Sequence, residues 1–154
     1  MARILALDFG LRRIGAAIGD TEVSIACPLE TYTRTTAAND EAHYARLIRE
    51  ERIDVIVVGL PLHNNGGESA ISFQAREFGQ WLSKLTSRPV RYRDERYTSA
   101  LANELLSEHE VKPRRRKGKL DRLAAQMILQ SYFDAGCPED EAPARPITDG
   151  PQRR

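Results

Sequence analysis

Arg3-Ile4-Leu5-Ala6-Leu7-Asp8-Phe9-Gly10 is the stretch that decides the fold class of this 154-residue chain. Its apolar run fits a strand covered on both faces, and it delivers a carboxylate where a glycine turn begins. Two later segments repeat the pattern: Val55-Ile56-Val57-Val58 runs into Gly59-Leu60-Pro61, and Val90-Arg91-Tyr92-Arg93 runs into Asp94-Glu95-Arg96. Strand ends gathered on one edge of a sheet are where α/β folds build their sites. Here that edge is acidic, which suits a metal ion.

Around this core the order is a meander followed by strands alternating with helices. Residues 13–19 read as a second strand, with small residues at Gly15, Ala16, Ala17 and Gly19 where backbone or ligand can approach closely. A third strand is expected near Pro28 to Tyr32. Asn39 or Asp40 is placed to cap a helix reaching about Glu51, and Val55 to Gly59 has the continuous apolar character of a parallel strand. Ile71, Ala75, Phe78, Leu82 and Leu85 form a helical stripe with Trp81 beside it. Phe73, Phe78 and Trp81 are assigned to the core, leaving no platform for stacking bases.

Val90 to Asp94 supplies the fifth strand, and Thr98 or Ser99 caps a helix carrying Leu101, Ala102, Leu105 and Leu106. A basic loop from His109 to Gly118 leads to a last helix with Leu120, Leu123, Ala124, Met127 and Ile128 inward. The expected architecture is α/β: a five-stranded mixed sheet, an antiparallel meander plus parallel strands, flanked by helices. Residues 1–137 are expected to form one domain. Pro138, Pro143, Pro146 and Pro151 mark 138–154 as a disordered tail.

Composition narrows the function less than arrangement does. With 23 Lys and Arg against 22 Asp and Glu, the net charge of +1 favours no class of partner. The segment from Lys112 to Arg122, however, sets Lys112, Arg114, Arg115, Arg116, Lys117, Lys119 and Arg122 against Asp121 alone, a pattern suited to a polyanion. Cys27 and Cys137 have neither CxxC spacing nor histidine partners, which argues against a disulfide framework or structural zinc. No apolar run approaches a membrane span, and Ile4 to Leu7 is too short for a signal sequence. A cytoplasmic protein with no membrane partner is expected.

Three carboxylates carry the candidate chemistry: Asp8 ends the first strand, Glu95 follows the fifth, and Asp121 opens the last helix, on the face it shares with Ala125 and Ile128. Gathered anions repel one another, and a divalent cation reverses that penalty by keeping them ionised. Oxygen ligands without histidine or thiolate favour Mg²⁺ or Mn²⁺ over zinc. Two such ions roughly 3.5–4 Å apart can activate a water and stabilise the leaving oxygen of a phosphodiester. Asp94 competes with Glu95 for the same position. Each acid also has an ordinary role open to it: a turn residue at Asp8, an ion pair with Arg93 or Arg96 at Glu95, a helix-dipole partner at Asp121.

Asp8-Phe9-Gly10, Gly59-Leu60-Pro61 through Gly66-Gly67, Asp94 to Ser99, and Lys119 to Ala125 together resemble the four motifs of the YqgF/RuvX family, RNase H-like proteins related to Holliday-junction resolvases. The resemblance covers roughly residues 3–135. It implies an RNase H-like fold, phosphodiester hydrolysis with divalent metal, and a part in maturing the 5′ end of precursor 16S rRNA. By motif position it places the catalytic and metal-binding triad on Asp8, Glu95 and Asp121, preferring Glu95 to Asp94. Resolvase relatives have a second acid one turn along their last helix, where this chain has Ala124.

Arg12, Arg114, Arg115, Arg116, Lys117 and Lys119 are candidates for phosphate contact; Arg13 faces either substrate or solvent. Amides at the turn before the helix from Ser69 can hold a phosphate or simply connect two elements, and His63 reads as a loop residue. Structured RNA, precursor rRNA above all, is the expected partner, with branched DNA as the alternative; the protein acts as monomer or homodimer. A non-catalytic ribosome-assembly factor is a third reading. An actin-like phosphotransferase needs a second lobe for which 154 residues leave no room.

Overall fold

The computed structural model describes residues 1–63, 65–95 and 113–139, except for the side chains of 113–117. Its strands are β1 (Arg3–Asp8), β2 (Arg13–Asp20), β3 (Cys27–Thr33), β4 (Val55–Leu60) and β5 (Val90–Asp94); its helices are α1 (Ala37–Glu50), α2 (Ala70–Thr86) and α3 (Pro113–Asp134). They build one five-stranded sheet in the order β3-β2-β1-β4-β5. The meander β1-β2-β3 is antiparallel, and β4 is parallel to both β1 and β5. This is the mixed sheet read from the sequence.

Strand periodicity sorts the core into two layers. Along β1, Leu5 and Leu7 face a cluster with Tyr44, Leu47 and Ile48 of α1 and Ala75, Phe78 and Leu82 of α2. Ile4 and Ala6 face the other way, packing with Val55 and Val57 against Ala125, Ile128, Leu129 and Tyr132 of α3. Successive strand side chains alternate between faces, so Asp8 belongs to the α3 side together with Ile4 and Ala6. The small residues of β2 have a physical role on that same side. A Cβ on Gly15 would collide with the Asp121 carbonyl, so glycine lets the α3 backbone lie directly on the strand.

Local details depart from the sequence reading in four places. The cap of α1 is Thr36, whose side chain accepts from the Asn39 amide. Asp40 is instead buried inside the first turn, accepting from the Tyr32 hydroxyl, the Arg34 guanidinium and the Thr35 amide. The stretch from 113 to 118, expected as loop, is already helical, with Pro113 suited to the first turn because it lacks the N–H that would go unbonded there. Asp121 therefore lies well inside α3, and a helix-dipole role at its N-terminus is ruled out. Phe73, expected in the core, is 48% exposed, whereas Phe78 is buried and Trp81 packs against the core.

The expected helix over 98–106 and most of the expected tail lie outside the described residues. So do the side chains of Arg114, Arg115, Arg116 and Lys117.

Candidate active site

The carboxyl ends of the parallel strands set out the site. Asp8 is the last residue of β1, and Leu60 at the end of β4 pairs with Asp94 of β5. One residue on, the Glu95 amide donates to the Leu60 carbonyl at 3.0 Å, which extends the ladder and fixes where the Glu95 side chain starts. That side chain folds inward over Gly59. A Cβ on Gly59 would strike both Glu95 Oε2 and Ile128 Cδ1, so a glycine at this position makes the space that the carboxyl fills. Glu95 is only 6% exposed and forms no ion pair with Arg93, whose Nε donates to Ser131 Oγ at 2.7 Å.

Asp8, Glu95 and Asp121 line one cleft of about 410 Å³, together with Arg12, Arg13, Pro61 and Ile71. Within it, desolvation raises the Asp8 carboxyl from its ordinary value to about 7; the Asp121 charge adds to the rise, and a hydrogen bond from Glu95 opposes it. Glu95 is raised well above the usual carboxylate range, first by burial, then by the Asp8 charge, the hydrogen bond to Asp8 and the Asp94 charge. Two carboxyls joined by a hydrogen bond need a proton between them. Burial thus favours a proton held on the pair, with Glu95 as donor to Asp8.

Asp121 is placed differently. Its Oδ2 accepts from Arg13 Nε at 2.8 Å, and its side chain is 15% exposed. The expected meeting of three acids is thus a hydrogen-bonded pair with a third acid beside it, held by an arginine. Among the described residues no group of three His, Cys, Asp or Glu side chains is drawn together as a metal cluster. The donor set nonetheless fits a hard cation. All ligands are oxygen, Glu95 Oε2 is buried without a hydrogen-bond partner, and the carboxyls crowd one another in a way that a positive charge relieves.

The other candidates separate clearly. Arg12 and Lys119 are exposed, Arg12 at the rim of the cleft. Asp94 stays on β5. The turn before α2 is occupied by its own bonds: Ser69 and Ser72 form a reciprocal capping box, Asn65 Oδ1 accepts from the Gly67 amide, and the Glu68 carboxylate pairs with Arg76 at 3.0 Å. An anion gains little there. Arg13 is the residue the sequence undervalued. It shares the parity of Gly15 and Ala17, which face α3, and that parity was a signal that Arg13 reaches the same helix.

Known proteins resemble this chain along most of its length. A family model described as RuvX, Holliday junction resolvase, matches residues 2–135. The chain belongs to the RuvX family. It is 47% identical over 133 residues to a Chromobacterium violaceum protein, covering 84% of this chain and 96% of that one. With a Koribacter versatilis protein the identity is 44% over 132 residues, covering 86% of each. Both relatives are named provisionally as pre-16S rRNA nucleases.

Among solved structures, Thermus thermophilus RuvC in complex with a Holliday junction substrate matches with a TM-score of 0.55 at 16% identity, over 89% of this chain and 98% of that one. Fowlpox virus resolvase with its Holliday junction DNA matches at 0.52 and 16% identity, over 86% and 97%. These likenesses show the fold, which in this RuvX family member is RNase H-like. No helix among the described residues is long and apolar enough to cross a membrane.

Proposed function

We propose that this protein is a divalent-metal-dependent nuclease of the cytoplasm that hydrolyses phosphodiester bonds in RNA and trims the 5′ end of precursor 16S rRNA. The observation that carries this reading is the gathering of Asp8, Glu95 and Asp121 along one cleft, with the Glu95 carboxyl buried beside Asp8 and both raised by desolvation. Such a pair costs stability, and the cost makes sense where the charge is to be met by a ligand. The provisional names of the 44–47% identical relatives support the RNA substrate. Residues 1–137 are taken as the nuclease domain.

Asp8, Glu95 and Asp121 are the residues that would hold Mg²⁺ or Mn²⁺. When bound, the metal supplies positive charge that ionises the carboxyls, polarises the phosphate and promotes attack by water. The chain's own part is placement. Leu60 anchors Glu95 through the backbone, and Ile128 backs its carboxyl. Pro61 and Ile71 give the cleft apolar walls, which strengthen charge interactions inside it. Arg12 and Lys119, with Arg114 to Lys117, are suited to hold the phosphate backbone without reading sequence.

A second reading, a DNA junction resolvase, has the family description and the fold of the junction-bound structures in its favour. Against it stands Ala124, 1% exposed, at the place where the resolvase relatives have a further acid. Incubating the purified protein with Mn²⁺ and either precursor 16S rRNA or a four-way DNA junction at matched salt separates the two, because phosphate-driven binding falls steeply with salt. The RNA is expected to be shortened at its 5′ end and the junction to persist, and Glu95→Gln is expected to lower the RNA rate more than about a hundredfold. Faster cutting of the junction would favour the second reading; full activity in Glu95→Gln would remove the carboxyl pair from the chemistry.

A further inference from the structure

Arg13 lines the cleft and pairs with Asp121, and the reading above gives it no further role. Its Nε donates to Asp121 Oδ2 at 2.8 Å, and the side chain, 35% exposed, lines the same cleft as Asp8 and Glu95. Its two terminal amino groups make no hydrogen bond among the described residues. One edge of the planar fork is therefore engaged by a carboxylate, and the other is left with donors arranged for the paired oxygens of a phosphate. Nothing about packing requires this: an arginine serving only as counterion to Asp121 could do so from the solvent side. Gly15, two residues along on the same face, brings the α3 backbone down onto β2 and so fixes the height at which Asp121 meets Arg13.

We propose that Arg13 binds a phosphate of the nucleic-acid strand with its terminal amino groups, and that Asp121 is the residue that aims it. Asp121 then has two tasks. Oδ2 orients the guanidinium, and the carboxylate charge acts on Asp8. Strand binding and the state of Asp121 become linked through one side chain. This rests on the nucleic-acid reading given above, but not on metal: the contact forms between the chain's own residues and the strand.

The test is the affinity of a short fluorescent single-stranded RNA in EDTA across a salt series, so that neither metal nor cleavage contributes. Arg13→Ala is expected to weaken binding about five- to tenfold and to lower the slope of log K against log salt by about one, as for the loss of one phosphate contact. The deciding arm is Asp121. General electrostatics says that removing an acid from the cleft strengthens binding of a polyanion. An aiming role says the reverse: Asp121→Ala weakens binding, Asp121→Asn, which keeps an acceptor for Nε, does not, and Arg13→Ala/Asp121→Ala is no weaker than Arg13→Ala alone.

Tighter binding by Asp121→Ala, or an unchanged slope in Arg13→Ala, overturns the proposal. Melting curves on each variant confirm that it is folded. Failure of the nucleic-acid reading looks different, since the unaltered protein would then show no salt-dependent RNA binding at all.

Discussion

Asp8→Asn is expected to abolish cleavage and, at the same time, to raise the melting temperature of the metal-free protein. The two effects have one origin. In the folded chain the Asp8 carboxyl is raised to about 7 by desolvation and by the Asp121 charge. A raised carboxyl means that the folded state holds its proton more tightly than the unfolded chain does. The stability this group contributes is therefore complete below its ordinary value and is lost as pH rises through about 7. At pH about 8 the metal-free protein carries the full cost of an ionised, poorly solvated acid.

Asn fills the same space without charge and removes that cost. The gain is on the order of 1–3 kcal/mol, or about 5 °C in a domain of this size. Activity falls more than about a hundredfold because a ligand oxygen is lost. Thermal melts in EDTA at about pH 5 and about pH 8 check the sign: the variant's advantage should be larger at the higher pH. A variant less stable than the parent at both pH values would mean that Asp8 is a structural acid.

Divalent-metal affinity should climb as pH rises through about 7, the second large effect. Desolvation makes the Asp8 carboxyl hold its proton up to about 7 beside the raised Glu95, and a metal ion has to displace that proton. While the pair is protonated, each unit of pH should change Mn²⁺ affinity by about tenfold, with about one proton released per ion bound. Titration calorimetry in buffers of different ionisation enthalpy measures both quantities. Asp8→Asn should lose the proton release along with the affinity. Affinity that stays level from acid to alkaline pH would contradict the proton held on the pair, and with it the electrostatic account of the cleft.

Strand ends, layers and candidate acids were legible in the sequence because each follows from short-range pattern. The run Ile4 to Leu7 and the run Val55 to Val58 are apolar without interruption, which only strands buried on both faces require. Asp8 closes the first of these runs and Glu95 follows Val90–Asp94, the neighbouring strand, so their approach follows from the sheet. Asp121 was harder. Its neighbours Ala125 and Ile128 gave the buried face of a helix, but Pro113 and the basic residues after it looked like a loop. Proline starts a helix as readily as it interrupts one, and local sequence does not decide between the two.

Arg13 shows a different limit. Its parity placed it on the α3 face, yet its partner lies 108 positions away, and such a pairing is settled only by how helix and sheet pack. Thr36 displaced Asn39 and Asp40 as the cap of α1 for a related reason. Asp40 is drawn into hydrogen bonds with Tyr32, Arg34 and Thr35, contacts made as β3 meets the helix, and so it is not free to cap.

Anomalous diffraction from a crystal soaked in Mn²⁺ at about pH 8, above the value near 7 to which the Asp8 carboxyl is raised, tests the central claim most directly. Density for at least one ion is expected in contact with both Asp8 and Glu95, with Asp121 beside it and Arg13 still on Asp121. Well-ordered carboxyls with no anomalous peak between them, or Mn²⁺ bound elsewhere while the cleft stays protonated, would contradict it.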